Sequence, residues 1–420
     1  MRFFVESYGC TMNYGEGNDI ADKMRSLGHS PADNADDADI VILNTCTVVD
    51  TTEKKMIERI SELKRMKKEV IITGCMAKVQ ASRISVRLPG SLIFPPDLYD
   101  SLPGAVLKRY GTGISDTAIG GANFDDRVTS IIPIAQGCLG DCTYCITKYA
   151  RGRLSSYSAD SIYERFRNAL ERGCREFLIT AQDTACYGLD IGSTLPELIE
   201  RLLTVNGEYR IRIGMMNPEG LARIIDRLMN VMKDERVYKF IHIPVQSGSD
   251  AVLKRMGRRY TVSEFIEMIG KLRSYHPDIT ISTDLISGFP GETDDDHKKS
   301  LHLIRNVSPD IVNVTRFSSR PGTEASLMDG QIHGRISKER SREITALRFD
   351  ESKGRNAELI GKNVRVLVTE PGKEGTMISR TNSYKQVILP EGAGPGKFLD
   401  AVITGCASTH LFGSVRGPPA

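Results

Sequence analysis

From about residue 125 to residue 350, six apolar strand candidates alternate with helical patterns, and no other feature limits the fold as strongly. The strands read as 131–135, 177–180, 210–213, 240–245, 280–286 and 311–316. Between them, stretches such as 162–173 and 262–275 repeat apolar residues at helical spacing. Strand–helix–strand units build parallel sheets, because a parallel partner is reached only by a long crossover. Six in succession predict a partial α/β barrel with its site at the C-terminal strand ends.

The first of these strands runs into Cys138, Cys142 and Cys145, written C-L-G-D-C-T-Y-C. A structural zinc site normally takes four ligands in paired spacings, whereas here the next histidine is His242. Three thiolates suit a cubane iron–sulfur cluster with one iron left open to a small molecule. Zinc and an inert trio of cysteines are the competing readings. An open iron can chelate the amino and carboxylate groups of S-adenosylmethionine, and an electron delivered there splits the sulfonium to give a 5′-deoxyadenosyl radical. Tyr144 is placed to lie against adenine, and Gly137 and Gly140 give the loop room to wrap a cluster. Later strand ends offer Gln182 and Asp183, then Gln246 and Ser247, then Thr283, Asp284, Gly288 and Glu292. Such groups can bond a ribose, although a barrel rim needs polar residues in any case.

Ahead of the barrel, to about residue 124, continuous apolar runs at 3–5, 40–43 and 70–72 read as buried parallel strands. Met56, Ile60, Leu63 and Lys67 mark a surface helix over 54–68. Each strand leads into a cysteine: Cys10, Cys46 and Cys75. In an open parallel sheet such ends share one edge, so three cysteines spread along the chain can converge. The plainer reading is three small residues at partly buried strand ends. Asn13 and Asn44 can hydrogen-bond ligating sulfurs or simply satisfy the turns.

After about residue 355, short strands at 364–369, 375–378, 386–389 and 399–405 are separated by Gly and Pro turns, which predicts a small β-barrel. Seven basic against five acidic side chains from Asn356 to Gly417 are too few to argue RNA binding from charge alone. Over the whole chain 56 Lys and Arg face 53 Asp and Glu, so no global field announces nucleic acid or an anionic membrane. Nine cysteines fit thiols kept reduced in a cytoplasm. No run of about 18 apolar residues occurs, so no membrane span is expected.

Taken in order, Y-G-C-T-M-N, L-N-T-C-T, I-T-G-C, the cysteine array, S-T-D-L-I-S-G-F-P-G-E-T and R-F-S-S-R-P-G-T resemble the radical S-adenosylmethionine methylthiotransferases over nearly the whole chain. The resemblance implies an open parallel α/β methylthiotransferase domain over 1–124 and a partial (β/α)6 radical domain over 125–354. Over 355–417 it implies an all-β TRAM barrel that binds RNA. It implies two [4Fe–4S] clusters, one on Cys138, Cys142 and Cys145 and an auxiliary one on Cys10, Cys46 and Cys75. The family replaces a C–H bond by a methylthio group and consumes two molecules of S-adenosylmethionine.

After Cys145 the chain reads I-T-K-Y-A-R-G-R-L-S-S-Y. It keeps Arg151 and Gly152 of the bacterial R-G-E-E pattern and departs from it at Arg153. This stretch and I-T-A-Q-D-T-A-C-Y-G-L-D-I-G are similar to the archaeal and eukaryotic threonylcarbamoyladenosine tRNA methylthiotransferases. The implied substrate is N6-threonylcarbamoyladenosine beside the tRNA anticodon. Isopentenyladenosine in tRNA and a ribosomal-protein aspartate are the alternatives. A non-enzymatic iron–sulfur RNA-binding protein is the alternative of another class, and a two-cluster electron carrier is a further one. The implied partners are tRNA, a ferredoxin- or flavodoxin-type electron donor and a sulfur source, in the cytoplasm and with no membrane. Cys174, Cys186 and Cys406 read as ordinary small residues, and Lys254, Arg255, Arg258 and Arg259 as either a phosphate grip or a solvated helix end.

Overall fold

The computed structural model describes residues 1–48, 50–111, 128–392 and 394–415. The expected boundary at 124–125 and residues 416–417 of the expected C-terminal domain lie outside the described residues. The chain divides into two compact units. One is Met1–Asp125 with Gln136–Gly140 and Cys145–Ser155; the other is Asp126–Ala135, Asp141–Tyr144 and Ser156–Ala420.

In the first unit five parallel strands lie in the order Ser30–Pro31, Arg2–Ser7, Ile40–Thr45, Glu69–Gly74, Leu92–Phe94. Both faces are covered, which is why the apolar runs are continuous. Ile40 and Ile42 face a layer with Ile20, Met24, Leu102 and Val106, while Val41 and Leu43 face Met56, Ile60 and Leu63. The helix expected over 54–68 spans Asp50–Arg65. Lys67 lies beyond it at φ +56°, a left-handed residue that ends the helix rather than extending its apolar stripe. The helix Thr11–Ser26 was not legible, because its entry and first turn together read G-C-T-M-N-Y-G, which suggests a turn.

The second unit holds six parallel strands in chain order, as two three-stranded halves: Thr129–Pro133, Glu176–Thr180 and Arg210–Ile213, then Phe240–His242, Thr280–Ser287 and Ile311–Arg316. Backbone bonds from Ile211 to Arg236 and from Tyr238 to Ile211 link the halves. The expected strand 240–245 stops at His242 because Pro244 has no N–H to give a ladder. The helices Leu195–Leu202, Val262–Tyr275 and Asp294–Val307 each open on a capping box, with Thr194, Thr261 and Thr293 paired to Glu197, Glu264 and Asp296.

The last 50 or so described residues close into a barrel of five strands, Asn363–Pro371, Met377–Thr381, Gln386–Leu389, Leu411–Val415 and Phe398–Cys406 in spatial order. The last in sequence, Leu411–Val415, escapes a reading from sequence because Gly413 breaks its pattern. The glycine is used: a Cβ there would meet Val387 and Leu389 at 3.0 and 3.1 Å. Among the described residues no helix is long and apolar enough to cross a membrane.

Asp310, at the head of Ile311–Arg316, ties this unit together. Its buried carboxylate accepts from Arg355 Nε (2.9 Å) in the helix Gly334–Ala357, Lys385 Nζ (2.7 Å) in the β-barrel and the Ile281 N–H (3.0 Å). Burial alone would raise the Asp310 carboxyl, but Lys385 and Arg355 more than offset it and hold it below the usual value. A depressed carboxyl contributes stability above its unfolded pKa, and that contribution is lost as pH falls through the folded value. Asp310→Ala is therefore expected to cost about 3–5 kcal/mol. Scanning fluorimetry should also show the wild-type melting temperature falling below pH about 4 more steeply than that of Asp310→Asn. Equal acid slopes would contradict this.

Candidate active site

In the first unit, the strands Arg2–Ser7, Ile40–Thr45 and Glu69–Gly74 are neighbours and parallel, so their C-terminal ends form one edge. Cys10 precedes the helix Thr11–Ser26, Cys46 directly follows the middle strand, and Cys75 opens the helix Cys75–Val79. Cys46 and Cys75 are buried and Cys10 is exposed. Gly9 (φ +110°) lets the first loop fold onto Cys46, since a Cβ there would stand 2.9 Å from its Sγ. Asn13 Nδ2 donates to the carbonyls of Tyr8 (2.7 Å) and Thr45 (3.0 Å), binding two strand ends together. Asn44 donates to Asn13 O at 2.6 Å, and its own Oδ1 is buried without a partner.

Burial pushes the Cys75 thiol up to about 11, against the pull of Arg151 and with a push from Cys10 and Cys46. Burial raises Cys46 too, and Cys10 adds to it. The three sulfurs thus sense one another. Among the described residues, no three His, Cys, Asp or Glu side chains could hold a single metal ion. Soft donors at one edge, with a cation beside them to balance thiolate charge, fit an iron–sulfur cluster.

Of the array, Cys138 and Cys145 belong to the first unit and Cys142 to the second. Gly137 (φ +81°) is required where the Arg153 carbonyl occupies the place of a Cβ. The Cys138 N–H donates to Gly152 O at 3.2 Å, and the Gly140 N–H to Cys138 Sγ at 3.2 Å. In the second unit, Thr143 bonds Met256 O (3.1 Å) and Arg255 O (2.9 Å). The Tyr144 hydroxyl accepts from Arg258 Nη2 at 2.6 Å, and its ring meets Phe289 edge to face at 6.1 Å. Burial pushes that hydroxyl far above its ordinary value, so it stays neutral. Arg258 Nη1 reaches Asn217 Oδ1 at 2.7 Å, and Asn217 in turn donates to Asp183.

The rim residues divide into two kinds. Asp183 is buried and accepts from Ala185 N, Asn217 N, Asn217 Nδ2 and Cys186 Sγ. Ser247 accepts from Ser249 N, and Thr283 bonds Ile243 O and Val245 N. Gly288 (φ +75°) gives its N–H to Glu292 Oε2 at 2.8 Å and lies against Ser337, which fills the space a Cβ would take. These four are occupied within the fold. Gln246 is buried at φ +71° and carries the chain between the fourth and fifth strands, its backbone bonding Asp284 O and Ile286 N. Gln182, Tyr144 and Asp284 keep partial exposure. Asp284 Oδ1 accepts from His242 Nε2 (2.7 Å) and Asn313 Nδ2 (2.8 Å) across three adjacent strands.

Residues 132–304 match the Radical SAM superfamily, 2–94 the Uncharacterized protein family UPF0004 and 357–415 the TRAM domain. The chain is 41% identical, over 99% of its own length and 99% of the relative's, to the probable threonylcarbamoyladenosine tRNA methylthiotransferase of Pyrococcus abyssi (strain GE5 / Orsay). It is 32% identical to the Homo sapiens threonylcarbamoyladenosine tRNA methylthiotransferase, over 96% of this chain and 72% of that one. The chain belongs to the threonylcarbamoyladenosine tRNA methylthiotransferase family. Among solved structures, the radical S-adenosylmethionine methyltransferase TsrM from Kitasatospora setae aligns with TM-score 0.54 at 12% identity, over 78% of this chain and 77% of that one, a likeness of fold.

The chain is thus a radical S-adenosylmethionine methylthiotransferase, with S-adenosylmethionine and iron–sulfur clusters as cofactors. Membership sets aside the non-enzymatic and electron-carrier readings. In this methylthiotransferase the basic run 254–259 is not one patch. Arg258 turns inward to Tyr144, Arg255 bonds Pro290 O and Asp329 O, and Arg259 pairs with Asp141 at 3.3 Å. Cys186 is buried against Asp183, and Cys406 lies in the β-barrel. Sequence reasoning missed Asn217, His242 and Asn313, which are single polar residues in apolar strands or loops. Glu16 and Tyr99, which meet beside Cys75, carried no signal either.

Proposed function

We propose that this enzyme converts N6-threonylcarbamoyladenosine in tRNA to its 2-methylthio derivative. The observation that carries the reading is the convergence of Cys10, Cys46 and Cys75 at one sheet edge, in a chain whose array already supplies a second trio. Replacing C–H by a methylthio group requires both a radical source and a holder of sulfur, and two trios meet that need. Cys138, Cys142 and Cys145 would hold one [4Fe–4S] cluster, and Cys10, Cys46 and Cys75 the other. Loaded, the two supply one-electron cleavage of S-adenosylmethionine and a site for sulfur.

The chain's own residues do the rest. Tyr144, Gln182, Gln246 and Asp284 are the groups we assign to contact with the cofactor nucleoside. Asp183, Ser247, Thr283 and Gly288 fix the rim on which those groups stand. Arg258 positions Tyr144 and also bonds Asn217, so Arg258→Met, which removes both charged hydrogen bonds, should lower kcat/KM for S-adenosylmethionine at least about tenfold. An unchanged value with an unchanged melting curve would remove Arg258 from this role. We assign 1–124 to sulfur holding, 125–354 to radical generation and 355–417 to gripping tRNA. The reaction further needs a low-potential donor of ferredoxin or flavodoxin type and a sulfur source, supplied in the cytoplasm.

The substrate is tested by competition. Reconstituted enzyme receives equal amounts of tRNA bearing threonylcarbamoyladenosine, tRNA bearing isopentenyladenosine and a ribosomal-protein peptide containing aspartate. Methylthiolation of the first alone is expected. Modification of either of the others in its place would move the enzyme to another branch.

A further inference from the structure

Six residues beyond Cys145, at the end of the short helix Thr147–Arg151, Arg151 is buried with a side-chain exposure of 1%. Its Nη1 and Nη2 pair with Glu16, itself 4% exposed, the second contact at 2.8 Å. Nη2 also reaches Asn13 Oδ1 at 2.7 Å, and Nε lies 3.3 Å from Cys75 Sγ. Asn13 Oδ1 is in turn 3.8 Å from Cys10 Sγ. The carboxylate therefore occupies one end of the guanidinium and the sulfur the other. All of these residues belong to the first unit.

A buried ion pair is a poor source of net stability, because desolvating both charges consumes most of the attraction. Its placement here has a chemical consequence instead. A cationic donor against a cluster thiolate favours the more negative, reduced state, and hydrogen bonds to sulfur are among the terms that set cluster potentials. Arginine suits the position, since its planar fork bonds a carboxylate and keeps Nε for the sulfur, which lysine cannot do at once.

We propose that Arg151 is a positioning residue, carried by the array's segment and aimed at Cys75, where it raises the reduction potential of the cluster on Cys10, Cys46 and Cys75. Glu16 and Asn13 hold the guanidinium and moderate its charge. The proposal rests on the two-cluster reading given above.

The test uses the full chain with Cys138, Cys142 and Cys145 all replaced by Ala, reconstituted with iron and sulfide so that only the auxiliary trio can load. Iron and sulfide content comes first. If this parent holds no cluster, the two-cluster reading fails, and the proposal falls with it. If it does, the midpoint potential is read by spectroscopically monitored titration in the parent, in Arg151→Lys, in Glu16→Gln, and in Glu16→Gln combined with Arg151→Met. The double variant removes the pair without leaving a lone buried charge. It should cut the reduced-to-oxidised ratio at fixed poise about tenfold, a shift of about 59 mV for one electron. Glu16→Gln should shift the ratio the opposite way, and Arg151→Lys should recover part of the loss. Arg151→Lys carries the comparison if the double variant does not load. Potentials that agree within twofold in that ratio, at full iron content, would overturn the proposal and leave Arg151 a packing residue.

Discussion

Cys142→Ala is expected to abolish release of 5′-deoxyadenosine from S-adenosylmethionine. Removing a hydrogen-bond partner of a metal ligand typically costs roughly 10–100-fold in metal affinity or activity, and removing the ligand itself should cost more. Cys142 is the member of the array that belongs to the second unit, beside Tyr144, Arg258 and Tyr260. Thr143 is pinned by the backbone carbonyls of Arg255 and Met256, which holds the backbone next to Cys142 in place. The check is chromatography of the nucleoside products after anaerobic incubation with a reductant. Release within tenfold of wild type would remove Cys142 from the radical site.

Cys46→Ala should separate the two halves of the reaction. Methylthio product is expected to disappear, while 5′-deoxyadenosine release stays within a few-fold of wild type. Iron content should fall by one cluster. Cys46 is buried beneath Gly9, and only its sulfur is lost on substitution, so the sheet should survive at a cost near that of a small cavity, about 1 kcal/mol. Circular dichroism and iron analysis on the same sample distinguish this from unfolding. Retained product with retained iron would show that the N-terminal trio holds no sulfur chemistry.

The fold was largely legible because the chain obeys two periodicities cleanly. Continuous apolar runs marked the strands that are covered on both faces, and Val262–Tyr275 and Ile311–Arg316 fell where their spacing put them. One strand was lost where Gly413 serves packing rather than a turn, and another was shortened where Pro244 lacks the N–H a ladder needs. The helix Thr11–Ser26 was lost because Gly15 and Gly17 sit inside it. Gly17 is required there, since Ser7 of the neighbouring strand fills the place of its Cβ.

The site was legible only as far as residue type carries chemistry. Cysteines at strand ends announce themselves, and topology explains how Cys10, Cys46 and Cys75 meet. The partners that hold them do not. Arg151 stood in a quoted motif, but its target 76 residues earlier is set by folding, as is the reach of Glu16 across 135 residues. Rim residues were named by position alone. That rule cannot tell Asp183, whose carboxylate is filled by the backbone and by Asn217, from Asp284, which joins three strands.

The most direct measurement is nucleoside mass spectrometry of tRNA bearing threonylcarbamoyladenosine after incubation with the reconstituted enzyme, S-adenosylmethionine, sulfide and a reductant. The predicted result is a nucleoside with methylthio in place of one hydrogen, absent with Cys142→Ala and with Cys46→Ala. Accumulation of 5′-deoxyadenosine over an unchanged nucleoside profile, with both clusters loaded, would contradict the assigned substrate.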